Sequence, residues 1–375
     1  MILAIGMVFS LTACGGEKKM DQTAYEKMTA DDLLKNIKDQ TNVTLEEYID
    51  LVSTLSNVTI TEDLELEDNI TTEAIQKLRD NDAQLPSPEE YVEPLLKSEA
   101  PQVRGYAISN VGSLFGVSDE HIAAAKEMLK TEQDPYVLRC AVKALANEGG
   151  SDPDIGQFLL DMAKNENVCV RQQVASALGS SWNKDLEGAV EAEIALMNDS
   201  DTFVRKAAYR YAGGLEDERI IEPIVEMLNN EADADLHGDG VESLVSLWYD
   251  YPFHENTSEA AYRATMDYLK TAPRTENTPA WTAVSSFSYK SNSSFDAWRE
   301  KATYFNPDEI AEIMTELVQD TNVNWMARTA AVKTMAAHCS REDFDALGSV
   351  VEGLTDDKAK YIQDEYQTRK DELDQ

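Results

Sequence analysis

The stretch Val204-Arg-Lys-Ala-Ala-Tyr-Arg-Tyr-Ala-Gly213 decides the fold, because copies of it recur along the chain. A copy has an apolar residue, then Arg, then a small or apolar residue four places after the first. Apolar residues at this spacing line one face of a helix. Clear copies begin at Val103, Val137, Val170 and Ala327, and weaker copies begin at Leu236 and Trp281.

The copies keep a nearly constant period. The residues that follow the apolar start lie at positions 104, 138, 171, 205 and 237, so the steps are 32 to 34 residues. Independent domains have no reason to hold such a period, whereas stacked helical hairpins do. Beyond position 237 the steps grow to 45 and 46 residues, which predicts insertions in the last units. The pattern predicts an all-α fold, an α-solenoid of about seven units.

The repeated phrase resembles the HEAT repeat, and in particular the short type of the phycobilisome lyases. In that type the second helix carries a polar residue, Val-Arg and then spaced Ala and Leu. The match is strongest from Asp201 to Ala208, and the likeness covers roughly residues 88–350. In the copy at Val137 the arginine, Arg139, lies one place later. The resemblance implies a right-handed superhelix of helical hairpins whose second helices line a concave surface.

The first residues of the chain, Met1 to Cys14, form an apolar run that ends in Leu-Thr-Ala-Cys. The run is too short to span a bilayer, and it is typical of a signal peptide. Its ending resembles the lipobox of bacterial lipoproteins, which implies that residues 1–13 are removed and that Cys14 is lipidated. The alternative is a buried N-terminal helix with an incidental cysteine. Residues 14–30 are polar and are predicted to form a tether.

The rest of the chain divides into three predicted parts. Residues 31–86 are expected to be a small helical section, because Ser or Thr followed three places later by an acid precedes its apolar runs. Within it, residues 58–69 alternate apolar and acidic side chains, so they are either a short strand or an extended connection. The HEAT-like repeat solenoid is predicted over residues 87–352. The charged segment 353–375 is predicted to be a capping helix for the last unit.

Charge and motifs limit the possible functions. Acidic residues exceed basic ones 70 to 33, and such a surface repels the phosphates of nucleic acids. The four cysteines and four histidines show no spacing typical of zinc, and no nucleophile or phosphate-binding glycine motif occurs. Asp233 to Gly238 lacks two of the ligand positions of a calcium loop. The sequence therefore predicts a non-catalytic protein with no metal, no cofactor and no nucleic-acid partner.

One candidate binding surface is basic. The five clear second helices contain nine Lys or Arg and no Asp or Glu. Positions two and six after the apolar start point away from the core at 100° per residue. A basic concave surface favours an acidic protein segment or an anionic cell-envelope polymer as the partner. Alternatively, these side chains merely cover apolar neighbours. The predicted partner-binding residues at these positions are Arg139, Lys143, Lys206 and Arg210, with Lys333 in the last copy.

The arginine that follows the apolar start is interpreted as structural. It is expected to pair with an acid or with carbonyls of the adjacent turn and so to tie neighbouring units together. Its repetition from unit to unit favours such a ladder over the alternative, contact with a ligand. The predicted ladder residues are Arg104, Arg171, Arg205 and Arg328.

A second candidate surface is aromatic. Residues 245–305 hold 13 of the 29 aromatic residues, in the part of the chain that carries the insertions. Aromatic side chains anchor protein interfaces, and inserted loops often carry function. On this interpretation Trp248, Phe253 and Trp298 bind the partner. The alternative is a larger core that fills the longer units.

Together these features predict an exported bacterial protein, anchored by its lipid to the extracytoplasmic face of the cell membrane. Its expected role is that of a scaffold or adaptor that binds a protein or an anionic cell-envelope polymer. Two alternatives remain: an enzyme or enzyme subunit, since the resemblance includes the bilin lyases, and a lipoprotein that captures a solute.

Overall fold

The computed structural model describes residues 59–60, 66–67, 96–97, 101–109, 119–230, 236–249, 257–274, 279–288 and 295–375. Several predicted features lie outside the described residues: the signal peptide, the tether with Cys14, most of the section 31–86 and Phe253. Among the described residues no helix is both long enough and apolar enough to cross a bilayer.

The described residues before position 70 form a small strand pair. Strand β1 (Thr59–Ile60) runs antiparallel to β2 (Leu66–Glu67), with Ile60 opposite Leu66. Of the two structures that the alternating pattern left open, the strand is the one observed here. Elsewhere in the described part of the chain the regular structure is helical, so the predicted all-α fold class is confirmed.

The chain divides into two compact units, residues 1–177 and 178–375. The boundary falls inside the predicted repeat segment. The first unit contains a packed pair of second helices, α1 and α3. Its helices are α1 (Pro101–Ser109), α2 (Asp119–Leu129), α3 (Pro135–Ala144), α4 (Pro153–Met162) and α5 (Val168–Leu178), the last of which ends one residue past the boundary.

The second unit holds the remaining helices. They are α6 (Ala189–Met197), α7 (Thr202–Tyr211), α8 (Ile221–Leu228), α9 (His237–Tyr249), α10 (Glu259–Thr271), α11 (Pro279–Ser286), α12 (Phe295–Lys301), α13 (Pro307–Gln319), α14 (Trp325–His338), α15 (Arg341–Glu352) and α16 (Ala359–Leu373). Short 3₁₀ turns occupy Ser181–Asn183, Ala212–Leu215 and Glu218–Ile220. Helix α16 lies within the segment predicted to cap the last unit, and it packs on α14 and α15.

The second unit is built in two layers. The second helices pack side by side in the order α7, α9, α11, α14 and α16, and we call this set the second-helix row. The first helices form the other layer, in which α8 contacts α10, α10 contacts α13, and α13 contacts α15. Pairs such as α6 with α7, and α13 with α14, join the two layers as helical hairpins. This is the architecture that the repeat pattern predicts.

The polar residue before four of the repeated phrases is a helix cap. In α7, the carboxylate of Asp201 accepts a hydrogen bond from the backbone N–H of Phe203 at 2.9 Å. A cap of this kind satisfies one of the N–H groups that the first turn leaves free. The same role, three residues before the apolar start, falls to Asp134, Asn167 and Asn324.

The repeated apolar positions form the core, with one correction. Val204, Ala208 and Ala212 are fully buried, as their spacing predicts. In α11, however, the core positions are Ala280, Val284 and Phe287, whereas Trp281 is 38% exposed. The placement of Trp281 at the apolar start was wrong by one residue, because the helix begins at Pro279 and turns Ala280 to the inside.

Candidate functional site

The predicted ladder arginines contact adjacent turns in two ways. Arg171 and Arg205 bind the turn just before their own helix: Nη1 of Arg171 donates to the carbonyl of Asn165 at 2.8 Å, and Nη1 of Arg205 donates to that of Asp199 at 3.0 Å. Arg104 instead reaches forward to the turn before α3. Its Nε and Nη2 donate to the two carboxylate oxygens of Glu132 at 2.6 and 3.0 Å. Arg328 also bonds an acid 28 residues ahead. The bonds of Arg171 and Arg205 therefore lie within one helical hairpin, whereas those of Arg104 and Arg328 join neighbouring hairpins.

The basic positions do not form one exposed stripe. Lys143 and Lys206 are exposed, as their helical positions predict. Arg139 is buried, which corrects its predicted place on the surface. The reason is that α3 is covered on all sides over residues 137–142, so no position of that stretch faces solvent.

Within the second unit, Arg210 of α7 lies against two acids of α9. Arg210 Nε lies 3.3 Å from Asp239 Oδ1 and 3.8 Å from Glu242 Oε2. Burial raises the pKa of Asp239, and the positive charges of Arg210 and Lys206 oppose that rise. On α7, therefore, Arg210 lies against acids, whereas Lys206 is exposed.

The described aromatic residues around Trp248 form a core and not a binding surface. Trp248 is fully buried, and Trp298 is nearly so. The Trp248 ring lies 5.1 Å from that of Tyr262 and 5.2 Å from that of Phe287, measured between centroids. Its indole N–H donates to Thr265 Oγ1 at 3.0 Å, and the Trp298 N–H donates to the Trp248 carbonyl at 2.7 Å. The prediction that Trp248 and Trp298 bind a partner is wrong. Their rings are buried in the core, and their indole N–H groups donate to acceptors within the core.

Ser243 and Glu193 are two of the buried polar residues of the second unit that the sequence pattern does not indicate. Ser243 on α9 is fully buried and lies against the end of α7. Its Oγ donates to the Tyr209 carbonyl at 2.6 Å and accepts from the Gly213 N–H at 3.0 Å. Glu193 on α6 is also fully buried, and neither carboxylate oxygen has a hydrogen-bond partner among the described residues. A serine or glutamate within a helix gives no signal of such burial.

A charged junction joins α10 to α13. Glu309 accepts hydrogen bonds from Lys270 Nζ at 2.8 Å, Arg263 Nη1 at 3.2 Å and the Tyr262 hydroxyl at 3.2 Å. Burial alone would raise the pKa of Glu309, but the hydrogen bond and the charge of Lys270 lower it overall. Three donors on one carboxylate hold the two helices together, as a structural junction requires.

The described residues contain no group of three or more His, Cys, Asp or Glu that could hold a metal ion. His338 lies among aromatic rings, and its Nε2 is 2.6 Å from the carbonyl oxygen of Phe287. At that distance Nε2 carries the proton and donates, since a carbonyl only accepts.

Comparison with known proteins agrees with this architecture. Residues 89–179 and 156–245 match the family model of HEAT repeats. Residues 89–245 are therefore similar to HEAT repeats. No curated protein matches the sequence.

Two solved structures resemble the chain. One is an engineered protein from the Northeast Structural Genomics Consortium, with 18% identity, a TM-score of 0.33, and coverage of 88% of this chain and 95% of that one. The other is the complex of CpcE and CpcF of phycocyanin lyase from Nostoc sp. PCC7120, with 15% identity, a TM-score of 0.28, and coverage of 76% and 96%. The repeat family rests on the sequence match alone.

Proposed function

We propose that this HEAT-repeat protein is a lipid-anchored, extracytoplasmic scaffold that binds a protein partner on its second-helix row. The observation that carries the proposal is the row itself. Five helices of equivalent position in their units pack side by side, with exposed side chains on α7, α11 and α16 and partly exposed ones on α9 and α14. Repeats that stack in this way offer extended binding surfaces.

Of the two predicted partner classes, a protein is favoured over an anionic polymer. Arg139 is buried, and Arg210 lies against Asp239 and Glu242. The net charge of the chain is −37, which opposes approach of a polyanion. We also propose that the protein is not an enzyme, since the chain carries no recognised catalytic motif.

Capture of the partner tests the binding role. Cells that produce the protein are treated with a lysine-reactive crosslinker, and the purified adducts are digested and sequenced by mass spectrometry. We expect crosslinked peptides from one protein or a few, joined at Lys206 or another lysine of the second-helix row. Adducts confined to abundant bystanders, in proportion to their abundance, would reject the scaffold role.

The anchor is tested separately. We propose that Cys14 carries the lipid, because it closes the Leu-Thr-Ala-Cys motif. Labelled palmitate should enter the wild-type protein and be absent from Cys14→Ser, which should leave the membrane fraction. Cys140→Ser is the matched control, because that thiol is buried within α3. Equal labelling of wild type and Cys14→Ser would overturn the anchor.

A further inference from the structure

The second-helix row carries exposed aromatic side chains at the starts of its helices. Phe203, the second residue of α7, is 44% exposed, and Trp281, the third residue of α11, is 38% exposed. Tyr361, the third residue of α16, is 53% exposed. The half-buried Trp325, the first residue of α14, stacks on Tyr361 with 4.7 Å between ring centroids. Four of the five helices in the row therefore present an aromatic ring within their first three residues.

These starts lie along one edge, because neighbouring helices of the row run in the same direction. Tyr209 of α7 lies against Ser243 of α9, and the later Gly213 lies against Ser243 and Ser246. Gly238, at the start of α9, lies against Thr282, at the start of α11. The last residue of α14, His338, bonds the carbonyl of Phe287 just after α11. The stacked pair of Trp325 and Tyr361 joins the starts of α14 and α16. We call this line of rings the aromatic edge.

The dimensions of the aromatic edge fit an extended chain. Packed helices lie about 8–10 Å apart, so the four steps from α7 to α16 cover roughly 32–40 Å. An extended polypeptide advances about 3.3 Å per residue, so about a dozen residues would cross the edge.

The sequence around the aromatic edge is acidic. The described residues of the turns that lead into the row include five acids and two bases, namely Asp199, Asp201, Asp320, Asp356 and Asp357, with Arg274 and Lys358. Exposed aromatic rings attract cations over their faces, and the acidic excess strengthens that attraction. Aromatic side chains are also the residues that anchor protein interfaces. The occupant with the complementary chemistry is a basic segment.

We propose that the aromatic edge binds an extended segment of a protein, rich in Arg or Lys. The cationic side chains lie over Phe203, Trp281 and the stacked pair of Trp325 and Tyr361. The net charge of the chain, −37, favours a basic occupant over an acidic one. This inference rests on the proposed scaffold function, and it names the edge of the row and the chemistry of the partner.

The test uses a fluorescent 12-residue peptide with Arg at every third position and Gly or Ser elsewhere. A second peptide has Glu in place of Arg. Affinity for the full chain is measured by fluorescence anisotropy at physiological salt, which weakens non-specific attraction. We expect the Arg peptide to bind and the Glu peptide not to bind. Trp281→Ser with Tyr361→Ser should weaken binding about tenfold or more, as loss of interface anchors does.

Trp182→Ser is the matched control. Trp182 is 67% exposed but lies outside the row, so this variant should bind within about twofold of wild type. Unchanged melting temperatures check that the variants fold, and Tyr361→Ser alone serves if the double variant does not. Binding that survives in the double variant, equal loss in the control, or no preference for Arg over Glu would each overturn the proposal.

Partner capture separates this inference from the scaffold function. If wild type and the double variant capture the same partner equally, the scaffold function stands and the aromatic edge is rejected. If wild type captures no specific partner, the scaffold function fails whatever the peptide does.

Discussion

Arg328 and Asp356 form a bidentate ion pair that fixes the last helix of the chain. Nη1 and Nη2 of Arg328 each lie 3.0 Å from one carboxylate oxygen of Asp356, and Nε donates to the Val318 carbonyl at 2.9 Å. The arginine is almost fully buried in α14, and the acid lies in the turn before α16. Removal of the acid would leave a buried cation without its counter-ion.

Asp356→Ala is therefore expected to destabilise the second unit by about 3 kcal/mol, the usual cost of breaking a buried pair. Urea unfolding measures the loss. Asp357→Ala, a change of an exposed neighbour, should cost less than about 0.5 kcal/mol. Equal effects of the two variants would show that the pair does not hold α16.

The same pair predicts a pH dependence. The hydrogen bond from Arg328 lowers the pKa of Asp356, so its stabilising effect is full above the pKa of a free aspartate, about 3.9, and is lost as the pH falls through the lower folded value. The stability difference between wild type and Asp356→Asn should therefore shrink below about pH 4. A difference that stays constant down to pH 2 would contradict this role.

The contribution of Glu193 to stability should change with pH in the opposite direction to that of Asp356. Burial raises its pKa well above the usual value, and the charges of neighbouring elements do not offset this. Of the ionisable groups on the elements packed against α6, Arg205 binds backbone carbonyls, Arg210 lies against acids of α9, Lys206 is exposed, and Arg219 pairs with Asp217 and Glu191.

For such an acid, the stability contribution is full below the unfolded pKa, about 4.3, and is lost as the pH rises through the folded pKa. Glu193→Gln should therefore be more stable than wild type at pH 8, by about 1–3 kcal/mol, and similar to it at pH 4. Thermal melts across this range test it, with exposed Glu187→Gln as control. A glutamine variant that is less stable at pH 8 would show that the carboxylate has a stabilising partner.

The hydrogen bonds of Ser243 predict that its substitution lowers stability. Its Oγ bonds the Tyr209 carbonyl and the Gly213 N–H at the end of α7, so alanine leaves buried backbone groups unsatisfied. We expect Ser243→Ala to cost about 1–3 kcal/mol. Ser246→Ala removes only a bond to its own helix, and we expect it to cost less. Denaturant unfolding measures the free energy of unfolding of both variants. Equal losses of stability would show that the Ser243 hydroxyl does not stabilise the end of α7.

Much of the fold could be predicted from the sequence, because the period and the spacing of Val, Ala and Leu depend on local helix geometry. The caps Asp134 and Asp201 and the ladder contacts of Arg205 follow from the same register. Burial set by tertiary packing could not be predicted. Arg139 occupies an outward helical position, yet α3 is covered on that side as well.

The aromatic residues show the same limit. The density of rings in residues 245–305 allowed both a core and a surface, and only the contacts of Trp248 decide for the core. The sequence pattern places Trp281 at an apolar start. The helix is shifted by one residue relative to that pattern, so Ala280 is buried and Trp281 faces solvent. The exposure of Trp281 follows from the residue at which α11 begins, and the sequence pattern does not give that residue.

The core assignment predicts that Trp248→Ala destabilises the second unit by about 3–5 kcal/mol, as large-to-small changes of buried aromatic residues do. Trp182→Ala, at an exposed site, should change stability by less than about 0.5 kcal/mol. Differential scanning calorimetry measures both. An unchanged melting temperature in Trp248→Ala, together with lost partner binding, would restore the surface interpretation.

The measurement that tests the proposed binding role most directly is site-specific photocrosslinking in the cell. A photoreactive amino acid replaces Lys206 or Ser286, exposed on the second-helix row, or Glu222 or Glu312, exposed on the first-helix layer. We expect the two row positions to crosslink one and the same protein and the two first-helix positions to give none of it. Equal crosslinking from both layers, or capture of the partner by the first-helix layer alone, would contradict binding on the second-helix row.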